Sequence, residues 1–134
     1  MLDRNRIGVL YLKFEINKTD NTFDLNQIDN IGDAVQILKN GTISHGRANG
    51  KVLGVLSDVY FDCDAYVGTV QVKGVAQFRY NRAGDPPIFG EGISGDGGGQ
   101  VVQLYNNITK QFSPSTIGVV ISFDRRTSIC EVIL

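Results

Sequence analysis

The stretch FGEGISGDGGGQ, residues 89–100, gathers six glycines between Gly90 and Gly99 and offers two chemical readings. Gly90, Gly92 and Gly95 spell G-x-G-x-x-G, the loop that lays a dinucleotide's pyrophosphate on a helix N-terminus. Such a loop needs a buried strand before it and a helix after it. Here Asp85-Pro86-Pro87 precedes it and Gly97-Gly98-Gly99 follows; proline cannot donate to a ladder, and each glycine costs a helix about 1 kcal/mol relative to alanine. The second reading, GDGGG at 95–99, is one residue from the GDSGG of trypsin-like proteases. Its nucleophile position is Gly97, which has no side chain to attack a carbonyl. Nothing in the sequence places Ser94 beside His45, the single histidine, which sits in ISHGRANG and reads as an exposed loop residue. The expectation is a chain that is not an enzyme, with a glycine-rich loop that stays mobile unless a partner holds it.

Metal chemistry has one candidate. Asp58, Asp62 and Asp64 in SDVYFDCDAY supply the hard oxygen donors that a calcium ion takes, without the central glycine and terminal glutamate of a calcium loop. They read as a solvated strand end. Cys63 and Cys130 lack C-x-x-C spacing and read as small buried hydrophobes. No cofactor and no metal is expected.

A chain of 134 residues reads as one domain with a real core. Thirteen Lys and Arg against 14 Asp and Glu give a net charge of −1, so no basic field draws nucleic acid. The opening MLDRNRIGVLYLKFEI is interrupted by Lys13 and Glu15 and lacks a cleavage site, and no apolar run is long enough for a membrane helix. No signal peptide, no membrane partner and a soluble chain are the expectations.

The elements that would position any site read as strands. In Ile7–Ile16, the residues Leu10, Leu12, Phe14 and Ile16 share one face, expected to be buried. Gly68–Tyr80 alternates and then shifts phase at Gly74, the mark of a bulge or bend. Shorter runs lie at Lys51–Leu56, Val101–Tyr105, Ile117–Phe123 and Thr127–Ile133. Asn40-Gly41 predicts a type I′ hairpin turn. Ile28, Ile31, Val35 and Leu38 fall at helical spacing, but Gly32 weakens that reading and an internal repeat outweighs it.

The repeat aligns GDAVQILKNGTI from Gly32 with GQVVQLYNNIT from Gly99, KVLGVLSD with TIGVVISFD, and GTVQVKGV with TSICEVIL. The expected architecture is all-β: a small β-barrel or sandwich built from two sequence-related halves around one core, with an N-terminal β arm. The arm covers residues 1–31 and the duplicated domain 32–134, with copies at 32–75 and 99–134 joined by a loop at 76–98. The arm either pairs with a neighbouring subunit's sheet edge or closes its own barrel. YNRAGDPPIF supplies Arg79, Arg82, Pro86, Pro87 and Phe89, and the arm supplies Arg4, Arg6 and Phe23. These eight are the candidate partner contacts, with a plain connector as the other reading of the loop.

The series Gly32-Asp33-Ala34-Val35, LGVL at 53–56, GTVQVKGV at 68–75 and IGVV at 117–120 resembles the tailed-bacteriophage capsid decoration, or cement, proteins. There a glycine-acidic strand start, an (I/L)-G-V strand and a G-x-V-x-V-x-G strand recur in both halves. The similarity covers about 32–134 and departs at Gln100, where an acid is expected, in the unusually glycine-rich middle loop, and in residues 1–31, which fall outside it. It implies a non-catalytic structural virion protein, made in the host cytoplasm, that binds the outer surface of an assembled capsid. Its partners would be the major capsid protein and itself, as a homotrimer in preference to a dimer. The alternative is a β-rich ligand- or carbohydrate-binding module of a phage head fibre or surface protein, with Tyr60, Tyr66, Tyr80 and Tyr105 as its platform.

Overall fold

A computed structural model describes residues 8–18, 31–83, 85–106, 108–112 and 116–134. Among them the chain is all-β, with antiparallel sheets and no helix. The opening strand β1 (Leu10–Glu15) is followed by β2 (Ala34–Ile37), β3 (Ile43–Ser44), β4 (Gly54–Asp62) and β5 (Ala65–Lys73). These strands form a five-stranded sheet in the order β1-β5-β4-β2-β3. A parallel bridge from Ile16 to Ile43, with Asn17 N–H donating to Ile43 O at 2.9 Å, joins its two edges. The pairing therefore runs all the way round, and the sheet is a small barrel.

A second ring repeats the first. Its strands are β6 (Val75–Arg79), β7 (Ser94–Gly95), β8 (Val101–Val102), β11 (Val119–Asp124) and β12 (Ile129–Ile133), with a hairpin of β9 (Tyr105–Asn106) and β10 (Gln111–Phe112) set between β8 and β11. β6 pairs with β12, β12 with β11 and β7 with β8. An Ile93–Ile117 bridge and a parallel Tyr80–Val101 bridge complete the circuit.

Register makes the correspondence residue by residue. Val55 faces Gln71 and Leu56 faces Val70 before a bulge, as Val119 faces Ile133 and Val120 faces Val132 before the same bulge. Gly32 N–H donates to Leu56 O and Leu56 N–H to Asp33 O; Gly90 N–H donates to Val120 O and Val120 N–H to Glu91 O. Leu38 N–H bonds Thr42 O as Asp96 N–H bonds Gln100 O. Residues 32–43 thus match 90–101 without a gap, and both Gly32 and Gly90 hold positive φ, 93° and 85°.

This pairing differs from the expected blocks. The counterpart of Gly32-Asp33-Ala34-Val35 is Gly90-Glu91-Gly92-Ile93, not the stretch from Gly99. Residues 76–98, expected as a joining loop, contain most of β6 and all of β7. The glycine-rich stretch is built into the second ring, with Ile93, Ser94 and Gly95 buried. The repeat also begins earlier than residue 32, because β1 is bonded along its length to β5 of its own chain and corresponds to β6.

There are two apolar cores where one was expected. Ile16, Val35, Ile43, Leu56 and Val70 form the first; Tyr80, Ile93, Val101, Val120 and Val132, their register mates, lie in the second. A volume exchange keeps both filled. A methyl on Gly68 would come within 2.8 Å of Ile43 Cδ1 and Leu56 Cδ1. The second barrel has Val101 and Val120 at those places, which leaves room for Cys130 where the first has Gly68. The second core also takes in Ala34, Val52 and Val55, from the outer face of the first barrel, so the barrels share a seam.

Candidate contact surface

The seam is polar at its centre. Asp33, just before β2, is hydrogen-bonded to His45 Nε2 at 2.7 Å and pairs its other oxygen with Arg79 Nη2 of β6. Asp33 and His45 are 8% and 4% exposed, so His45 is not the exposed loop residue its neighbours in sequence suggest. Gly99 fits because it has no side chain: a methyl there would lie 2.8 Å from the Asp33 carboxyl carbon. Ser94 Oγ, on the neighbouring β7, is fully buried without a hydrogen-bond partner. Gln36 fills a slot between Gly46, Gly50 and Gly95, with its amide bonded to Arg47 O at 2.9 Å and Arg47 N at 3.3 Å. Of these groups, the Asp33–Arg79 pair and the packing of Gln36 against Gly95 cross from barrel to barrel.

Arg79 is engaged by this seam while its side chain stays 41% exposed, and it also donates to Ile31 O at 3.4 Å. Pro87, by contrast, is buried. Arg82, Pro86 and Phe89 do lie outside. Arg82 Nε donates to Ser128 Oγ at 2.6 Å and Nη2 to Arg126 O at 3.1 Å, which holds Arg82 against the β11–β12 turn. Arg82 and Pro86 line one small groove with Tyr80, Asp85 and Phe123. Beyond it Ile88 and Phe89 are 55% and 62% exposed. Both backbone groups of Ile88 are held by the Gln103 amide, N–H to Oε1 at 2.6 Å and Nε2 to C=O at 3.0 Å. The result is a braced apolar ridge, Pro86-Ile88-Phe89, on a segment that the sequence marks only by its two prolines. Ile88 was not among the expected contacts; the dipeptide Ile88-Phe89 after two prolines was the available signal. Arg4, Arg6 and Phe23 lie outside the described residues.

The other chemical candidates resolve by geometry. Asp62 closes β4 and Asp64 sits in the two-residue β4–β5 turn, where Cys63 and Asp64 carry positive φ of 49° and 65°. That is the type I′ conformation expected at Asn40-Gly41, where only Gly41 has positive φ and Asn40 Oδ1 instead accepts from Thr42 N–H at 3.1 Å. Cys63 is exposed rather than buried, and Cys130 is buried. Burial pushes the Cys130 thiol up to about 11. No group of three His, Cys, Asp or Glu side chains suited to a metal occurs among the described residues. The four tyrosines do not form one platform: Tyr80 is buried in the second core and Tyr66 packs against the first. No described helix is long and apolar enough to cross a membrane. Comparison with family models, curated proteins and solved structures finds no match.

Proposed function

We propose that the chain is a structural virion protein that binds the outer surface of an assembled bacteriophage capsid and stabilises it without catalysis. Its partners in this reading are the major capsid protein and further copies of itself, as a homotrimer. The supporting observation is the second glycine-acid start. Gly90-Glu91-Gly92-Ile93 holds the register place of Gly32-Asp33-Ala34-Val35, so the acid that Gln100 lacks is present at Glu91. The resemblance to decoration proteins thereby gains its most visible missing part. The braced ridge at Ile88 and Phe89 supplies a rigid apolar contact that costs little ordering entropy on binding. Many such contacts on a lattice shift the shell toward its assembled state by mass action.

Co-sedimentation of the purified chain with empty shells of a matching phage tests this. Saturable binding, and a raised temperature of shell disruption, are expected. Phe89→Asp should weaken binding about tenfold or more, in keeping with loss of a central apolar anchor. A chain that never sediments with shells yet is retained on a glycan array would replace this reading with the ligand-binding module.

A further inference from the structure

Each half of the seam between the barrels has a register mate whose large apolar residue lies exposed, Val119 on one and Leu12 on the other. On the covered side, Ala34, Val52 and Val55 of the first barrel are 2%, 2% and 7% exposed, against Ala76 of β6 at 1%. Their mates in the other barrel are Gly92, Thr116 and Val119, with Val119 42% exposed, and the mate of Ala76 is Leu12 of β1, 41% exposed beside exposed Leu10. The donor face is used on barrel one and open on barrel two; the acceptor face is used on barrel two and open on barrel one.

The main chain tells the same story. Across the seam Ala34 N–H donates to Gly99 O, Gly95 N–H to Gly50 O and Asn49 N–H to Gly95 O, each at 2.8 or 2.9 Å. The mates of these groups are Gly92 N–H, Gly41 C=O and both backbone groups of Ile37. Among the described residues no backbone group crosses to them. Because Leu38 N–H bonds Thr42 O, Ile37 and Ile43 form a pair without direct hydrogen bonds, and Ile37 points its N–H and C=O away from β3. They open into a groove of about 680 Å³ lined by Leu38, Arg47, Lys51, Val52 and Leu53. Gly41 has nothing within 4 Å of its methyl position, whereas its mate Gly99 abuts Asp33.

The geometry points to a second copy of this chain as the occupant. Barrel two of one copy docks on barrel one of the next as barrel one docks on barrel two within the chain. The β9–β10 hairpin, which lies between β8 and β11 as residues 47–50 lie between β3 and β4, takes the part of those residues along the Ile37 edge. Such a contact is heterologous, and it closes into a ring when the rotation between barrels divides a full turn. One element does not repeat: Glu15 stands in β1 where Arg79 stands in β6, so the next copy's Glu91 would meet an acid in place of a guanidinium. This inference deepens the self-association in the proposed function and does not depend on the shell. A chain that associates but ignores shells overturns only the capsid reading; one that binds shells as a monomer overturns this surface and the homotrimer and leaves the capsid reading standing.

Native mass spectrometry of the full chain at tens of micromolar, with Leu12→Asp and Val119→Asp variants, tests it. Both positions are exposed, so circular dichroism should show the fold intact. The native chain is expected to be a closed oligomer and each variant alone a monomer. An equimolar mixture of the two is expected to give a heterodimer, because each retains the face that the other lacks. Glu15→Arg should lower the dissociation midpoint about tenfold by restoring a charge-assisted pair. A monomeric native chain, variants that still assemble, a mixture that stays monomeric, or an unchanged midpoint for Glu15→Arg each overturns the surface.

Discussion

Asp33 uses both carboxylate oxygens, one on His45 and one on Arg79, and its burial leaves little water to replace either partner. Removing a buried, doubly bonded charge strands its partners, so Asp33→Ala is expected to cost about 3–5 kcal/mol in urea unfolding. The Arg79 side chain is 41% exposed, and Arg79→Ala is expected to cost nearer 1 kcal/mol. The two cysteines should separate as cleanly. With the native chain, a thiol reagent should label Cys63 and spare Cys130, which reacts only on unfolding, as peptide mass spectrometry will read. Cys130 also sets a pH dependence. In the unfolded chain its thiol ionises near 9.0 and in the folded chain at about 11, so between these values the folded state keeps a proton that the unfolded state has lost. Stability should fall as pH rises from about 9 and level off beyond about 11. Cys130→Ala should remove its share of that slope, while buried Tyr80, raised by desolvation, keeps its own.

The strands teach where pattern in a sequence carries information and where it does not. Gly68–Tyr80, read as two phases of alternation meeting at Gly74, is β5 and β6, with Gly74 at φ 100°. β-branched residues at period two were enough there. β7 escapes the pattern because Ile93 is the one large apolar residue it turns to the core and glycines surround it; matching by apolar words leads to Val101 and Val102 instead. Backbone hydrogen bonds, which carry no side-chain signature, decide the true register. Alternation also placed Leu10 and Leu12 inside, on the face of Phe14 and Ile16, but they sit beyond the part of the barrel that closes and remain exposed. For the candidate surface, composition could find the proline-rich segment but not the Gln103 brace, the engagement of Arg79 by Asp33 or the burial of Pro87. The glycines test the register directly. Gly54 lies against Gln71 O, and a methyl on its mate Gly118, at φ 70°, would approach Ile133 O to 2.8 Å. Gly54→Ala and Gly118→Ala are each expected to cost about 3 kcal/mol by thermal unfolding, against about 1 kcal/mol for Gly41→Ala, where strain acts without a clash.

At the scale of the molecule, the second core includes residues of the first barrel, so the barrels should not melt separately. Calorimetry is expected to show one transition whose van't Hoff and calorimetric enthalpies agree. Cutting the link 102–117 down to the length of its counterpart 44–53 should leave that transition in place. The join between barrels is also short: β5 passes into β6 through Gly74 alone, and Gln71 Nε2 donates to Lys73 O at 3.3 Å and Val75 O at 3.0 Å on either side of it. A tug applied to one end of such a body is delivered to the other without slack. Two cylinders yoked this way act as a strut rather than as beads on a string, and anything gripping both ends is held at a set spacing.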